Sequence, residues 1–245
     1  VREGEVLIRL DTAAARANYE STRQRYLGLL AMQGRLQAEQ LGADAIRWHP
    51  DLLAARDDPL IRQQMLNQEQ LLRSRRSALR AEVQSFEENI RGQQAMIDSY
   101  HAVLVSRRGQ LALMNEELRN TRGLVQDGYA PRNRQLELER AVAESTAAIS
   151  ELQGNVVRGT QTIAELRQRI LARQQEYRKE TDTSMAEVTR EVLADAGKVT
   201  ALREELERTE IRSPSAGQVV GLAVQTVGAV ISPGQKLMDI VPPDE

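Results

Sequence analysis

His49 stands close in sequence to Asp51, Asp57 and Asp58. An imidazole beside carboxylates is the raw material of a divalent-metal site or an acid–base pair. The spacing supports neither. No second histidine lies one helical turn away, and the segment reads as a polar loop. His101, the only other histidine, follows a residue of a helical apolar seam and reads as a flanking, solvent-facing side chain. Residues 228–236 place two glycines ahead of Lys236, as a phosphate loop does, but without its spacing, and Pro233-Gly234 reads as a strand turn. The chain has no cysteine, which removes disulfides, thiolate metal sites and cysteine nucleophiles together. The reading is of a non-enzyme with no catalytic, metal-binding or cofactor-binding residue.

The elements around these residues are long helices. Aromatics make up 3% of the 245 residues and charged residues 28%, so the chain lacks the large rings on which a compact core leans. The net charge of −2 gives no electrostatic case for nucleic acid. No apolar run is long enough to span a membrane. From Leu72 to Val125 apolar residues recur at alternating steps of four and three, the period of a coiled coil. The seam includes Leu79, Val83, Ile90, Ile97, Leu104, Leu111 and Leu118, with Arg76, Gln93 and Arg107 as polar members. Asp127-Gly128-Tyr129-Ala130-Pro131 interrupts it, since Gly and Pro so close together end one helix and open another. A second seam runs from Leu138 to Tyr177 and includes Arg173. The polar members read as register control, or as long stems reaching water.

The two seams mirror each other. Leu118 and Leu138, Met114 and Val142, Leu104 and Leu152, Ile90 and Leu166, and Leu79 and Tyr177 are each equidistant from Gly128. That predicts an antiparallel hairpin folded at Gly128. Beyond Tyr177 the seam shifts phase and resumes at residue 181. Residues 12–41 predict another helix, with Tyr19, Tyr26, Leu29 and Leu36 on one face; Gly42, Pro50 and Pro59 break the chain after it. Trp48 reads as a packing anchor for that break. The expected helices are about 12–41, 60–122 and 132–210, with a tip at about 123–133. Equal rise per residue places all three side by side along residues 181–196.

The termini match at a constant offset. Val1 corresponds to Ile231, Gly4 to Gly234, Glu5 to Gln235, Leu7 to Leu237, Ile8 to Met238 and Leu10 to Ile240. Each copy predicts a tight turn feeding a short strand. Residues 211–230 are β-branched and punctuated by Gly217, Gly221 and Gly228. This piece resembles the second half of a lipoyl-like β-sandwich, and residues 1–11 resemble the end of the first half. The expected domains are therefore 1–11, a helical domain at 12–210, and 211–245, with the chain beginning inside a domain. The modified lysine of true carriers has no counterpart, because the first lysine is Lys179.

A mainly α fold, with a long hairpin of three helices set between two lipoyl-like halves, resembles the membrane fusion proteins, or periplasmic adaptors. Ile211-Arg-Ser-Pro-Ser-Ala-Gly217, the stretch from Gly228 to the closing Val-Pro-Pro-Asp-Glu, and Leu136-Glu-Leu-Glu-Arg140 resemble the HlyD-like type I secretion branch, nearest its protease and lipase exporters. The resemblance implies a periplasmic protein anchored in the inner membrane by an upstream helix. It implies a partner ABC transporter, a TolC-like outer-membrane channel met by the hairpin tip, a ring of six copies and an unfolded secreted protein as cargo. Efflux adaptors carry a spaced Arg, Leu and Ser or Thr at the tip. Here Leu124 matches, but Asn120 and Pro131 stand at the other two positions. The tip candidates are Arg119, Arg122, Leu124, Tyr129, Pro131 and Arg132. A multidrug-efflux adaptor is the alternative within the class, and a structural or signalling coiled coil the alternative outside it.

Overall fold

The computed structural model describes residues 1–243; Asp244 and Glu245, the last two residues of the C-terminal motif, lie outside the described residues. The elements are β1 (Val6–Arg9), α1 (Ala13–Leu41), α2 (Pro50–Ala54), α3 (Pro59–Gln126), α4 (Arg132–Glu207), β2 (Glu210–Arg212), β3 (Gln218–Val220) and β4 (Asp239–Val241). They divide between two compact units. One is Leu71–Thr181; the other joins Val1–Gln70 to Asp182–Glu245.

The unit Leu71–Thr181 is a two-helix antiparallel hairpin. Its seam is the one the heptads predict. Leu72, Ile97, Leu104 and Leu118 of α3 are buried with Leu138, Ile149, Ile163 and Leu166 of α4. The register is fixed where a side chain is missing. A Cβ on Gly159 would lie 2.8 Å from Ile97 Cγ1, so Ile97 fills the space above Gly159. Ile97 and Gly159 are equidistant from Gly128, as the mirrored seams require. Arg107 departs from the pattern and is exposed, because a guanidinium at a seam position turns out to water. Arg173 stays at the seam, and its Nε donates to Glu82 at 2.7 Å. That bond raises its already high pKa, against the opposing effect of burial. Arg75 lies 5.0 Å from the Tyr177 ring centroid, a cation–π contact, and 3.6 Å from Glu180.

In the other unit, α1 packs on the ends of α3 and α4. Gln33 reaches Thr189 at 3.4 Å, Gln40 reaches Asp182 at 3.0 Å and Arg25 meets the buried Asp195 at 3.2 Å. These contacts lie along the expected three-helix stretch. The burial on α1 is broader than one face. Leu27, Leu30, Ala31, Leu36 and Ala38 are all buried, because the segment after α1 folds back over it. That segment differs from the plain break expected at 42–59. It contains α2, whose first turn is capped by His49: Nδ1 accepts the Asp51 N–H at 3.0 Å. Leu52 and Ala55 join Leu27, Leu30, Ala31, Ile61 and Val192 in one core, and Trp48 packs against it. Beneath lies a buried ion pair, Arg35 to Glu39 at 2.7 Å, with Gln68 accepting from Arg35 Nε at 2.6 Å.

Two helix ends differ from expectation. α3 runs on to Gln126 because Gly123 remains helical, and α4 stops at Glu207, where Glu210 enters a strand. β1 pairs antiparallel with β2 through a bulge, and β3 pairs antiparallel with β4. The terminal repeat is structural at its turns. Gly4 and Gly234 have φ of 77° and 79°. The Glu5 N–H donates to the Arg2 carbonyl at 3.2 Å, and the Gln235 N–H to the Ser232 carbonyl at 3.1 Å. The Glu5 and Gln235 side chains both reach back, accepting the Arg2 and Ser232 N–H groups at 2.8 and 2.9 Å. After Gly4 the strand begins at Val6; after Gly234 it waits until Asp239. The intervening Leu237 carbonyl accepts the Ala223 N–H at 2.8 Å, with no ladder there among the described residues.

Candidate hairpin tip

α3 ends in a left-handed glycine cap. Gly128 has φ 79°, the Tyr129 N–H donates to the Leu124 carbonyl at 2.7 Å, and the Gly128 N–H to the Val125 carbonyl at 3.1 Å. This pair of bonds satisfies carbonyls that the helix end would leave bare. Pro131 then sets the entry to α4, and its carbonyl accepts the Arg134 N–H at 3.1 Å.

The chain's own packing leaves the turn's apolar side chains in water. Tyr129 is 83% exposed, and Leu124 and Leu136 are nearly half exposed. Thr121 and Leu138 close the seam beneath them. Two ion pairs clamp the helices. Arg122 meets Glu139 at 3.1 Å, and Arg134 meets Glu117 at 2.8 Å and Glu137 at 3.5 Å. The first two are related by symmetry. Arg122 and Arg134 are equidistant from Gly128, as are Glu139 and Glu117. Hydrogen bonds from Gln135 and then Arg122 hold the Glu139 carboxyl below its ordinary pKa.

All six sequence candidates, Arg119, Arg122, Leu124, Tyr129, Pro131 and Arg132, are exposed at or near this turn. They divide by partner. Arg122 is committed to Glu139, whereas Arg119 and Arg132 make no ion pair among the described residues. Sequence reasoning missed Arg134, Glu117 and Leu136. Charge mirrored about Gly128 is the signal for the first two.

Elsewhere the side chains that suggested chemistry are engaged structurally. His49 caps α2. Asp51 accepts from the Tyr26 hydroxyl at 2.9 Å, and burial, then Asp51, pushes that phenol up to about 12. Lys236 pairs with Asp239 at 2.9 Å. No cluster of three metal-ligating side chains occurs among the described residues. An open trough of about 800 Å³ between residues 7–11 and 224–231 is lined mainly by aliphatic side chains.

A family described as "AprE, long alpha-helical hairpin" matches residues 15–205. The chain is similar to the alkaline protease secretion protein AprE of Pseudomonas aeruginosa, with 39% identity over 99% of this chain and 56% of that protein. It is similar to the proteases secretion protein PrtE of Dickeya chrysanthemi, with 34% identity over the whole chain and 55% of that protein. Among solved structures, the soluble domain of LipC, a membrane fusion protein of a type I secretion system, superposes with a TM-score of 0.93 at 34% identity, covering 99% of this chain and 91% of that one. The chain spans just over half the length of the two curated relatives.

Proposed function

Because the chain belongs to the AprE family of long α-helical hairpins, we propose that it is the periplasmic adaptor of a type I secretion system. In this reading an upstream helix anchors it in the inner membrane. It joins an ABC transporter there to a TolC-like outer-membrane channel, as a ring of six copies. The cargo is an unfolded protein of the protease or lipase class. The adaptor itself does no chemistry.

The observation that carries the reading is the hairpin turn. A coiled coil whose only task is to hold two helices together has no use for exposed Leu124 and Tyr129 at its end. Here they sit on a clamped, glycine-capped turn beside Arg119 and Arg132, which make no ion pair among the described residues. Exposed apolar side chains on a rigid support are what a partner surface buries. The arginines specify a partner with acidic or carbonyl-lined edges. The hairpin unit, at about 1.5 Å per residue, holds this turn roughly 80 Å from its other end, a span suited to crossing a compartment.

The test uses the full-length protein in cells that also express its transporter and channel. A tag on the adaptor should recover both partners during export of a protease reporter. Recovery of the transporter without the channel, with export intact, would overturn the role proposed for the turn. Recovery of neither would overturn the adaptor reading.

A further inference from the structure

Gly123 is helical and exposed, and a Cβ added to it would meet nothing within 4 Å. No neighbour demands a glycine there, although glycine is among the poorest helix formers. Gly92 and Gly109 are equally open, but buried seam residues follow them: Ile97 and Leu104 after the first, Leu118 and Thr121 after the second. Nothing comparable follows Gly123. Residues 122–137 contain no buried side chain, and between Arg122 and Tyr129 only Val125 is half-buried. The turn after Gly123 is therefore held mainly by exposed backbone hydrogen bonds, the weakest kind of local structure.

Charge points the same way. The last turn of α3 carries no basic residue, and Asp127 follows it, at the negative end of the helix dipole. One turn earlier stand Arg119 and Arg122. A helix ending at Arg122 would hold both arginines in its last turn, where the dipole favours cations. It would place Gly123 in the left-handed position just past its end. Leu124 would then stand where such a cap closes on an apolar residue of the preceding turns, here Leu118. Gly123 and Gly128 thus offer α3 the same kind of cap at two places. The ion pairs Arg122 to Glu139 and Arg134 to Glu117 involve no residue between the two glycines, so they clamp the helices with either cap in use.

We propose that residues 123–127 are a two-state element: a helical turn capped at Gly128 in the free chain, unwound to a cap at Gly123 when the turn docks on its partner. Unwinding gives up the bonds from the Asp127, Gly128 and Tyr129 N–H groups to Gly123, Val125 and Leu124 and the half-burial of Val125. In return the loop lengthens, so that Leu124 and Tyr129 adapt to the partner while the clamp keeps the helices below in register. The docking step rests on the adaptor reading above; the two-state element does not.

Amide hydrogen exchange on this chain tests the element. Alanine resists the left-handed cap and favours the helix, so Gly123→Ala should slow exchange at Val125, Gln126 and Asp127 on the order of tenfold. Asparagine tolerates the left-handed conformation, so Gly123→Asn should stay within about threefold of the parent. No slowing in Gly123→Ala, or equal slowing in both variants, would overturn the element. Gly128→Ala attacks the observed cap, where φ is 79°. Protection should then stop sharply after Leu124, whose N–H a Gly123 cap still holds. Loss that spreads gradually past Leu124 into the helix would also overturn the element. The docking step is read in the full-length protein. Gly123→Ala, which locks the observed end, should lower export of a protease reporter several-fold, with Gly109→Ala at the parental level as control. Parental export by Gly123→Ala, with exchange slowed as expected, would overturn the docking step. A full-length parent that recovers no channel would remove the adaptor reading and the docking step together, and leave the two-state element standing.

Discussion

At Gly159 a single methyl group decides the packing. Its added Cβ would approach Ile97 Cγ1 to 2.8 Å and Cδ1 to 3.1 Å, inside ordinary contact distance. Alanine is the better helix former by about 1 kcal/mol, yet overpacking a tight seam costs about 1–3 kcal/mol. Gly159→Ala should therefore lower stability in urea unfolding, and should become neutral or stabilising once Ile97→Ala removes the obstruction. A stabilised Gly159→Ala single variant would break the proposed register. Glu139 offers a second residue-scale test. Its folded pKa is depressed by Gln135 and Arg122. A depressed carboxylate contributes stability above its unfolded pKa and loses that contribution as pH falls through the folded value. The melting temperature of Glu139→Gln should thus lie below that of the parent at neutral pH. The gap should close at acid pH, and a gap that persists there would assign the loss to something other than the charge. Glu39 is of another kind. Its buried carboxylate accepts from Arg35, a guanidinium that Gln68 also holds, so Glu39→Ala removes one charge-assisted hydrogen bond and should cost about 1–3 kcal/mol.

Among the elements, legibility followed length. The hairpin seam repeats over many heptads, so single exceptions such as Arg107 could not disguise it, and the mirror about Gly128 set its register. The three-helix stretch was legible by counting, because rise per residue is constant in a helix. α2 was not. Five residues give no period, and its cap is a histidine where Ser, Thr, Asp or Asn would be the signal. The end of α3 was misjudged at Gly123, because a glycine inside a long helix is tolerated when a later one supplies the left-handed cap. The terminal repeat was legible in its turns, where Gly4 and Gly234 must adopt positive φ, but less so in strand extent, which depends on pairing partners rather than on local sequence. Of the tip, the exposed apolar residues were visible, whereas the clamp was not, since ion pairs between helices emerge only once the register is applied to charges. The register itself has a direct measurement. Cysteines in place of Leu104 and Leu152 should oxidise to an intramolecular disulfide at high dilution. Failure to do so, with helix content intact, would sink the pairing.

For the molecule as a whole, the adaptor reading turns on separating binding at the turn from the fold that presents it. Leu124 is suited to this because it does both kinds of work unequally. Its carbonyl accepts the cap bond from Tyr129, which any side chain at that position preserves, while its side chain is nearly half exposed and packs on no partner that seals it. Leu124→Asp should therefore leave helix content unchanged and move the melting temperature by little, since surface substitutions of this kind fall within about 0.5 kcal/mol. In the full-length protein it should abolish export of a protease reporter, because a carboxylate placed in an apolar contact must be desolvated without a partner. Val105→Asp, at a more exposed position of α3 away from the turn, should export normally and serves as the control. Loss of export in both variants would point to general damage. Normal export by Leu124→Asp would mean that the turn meets no apolar surface. A lowered melting temperature in Leu124→Asp alone would make the residue structural and return the search for the channel contact to Tyr129, Arg119 and Arg132.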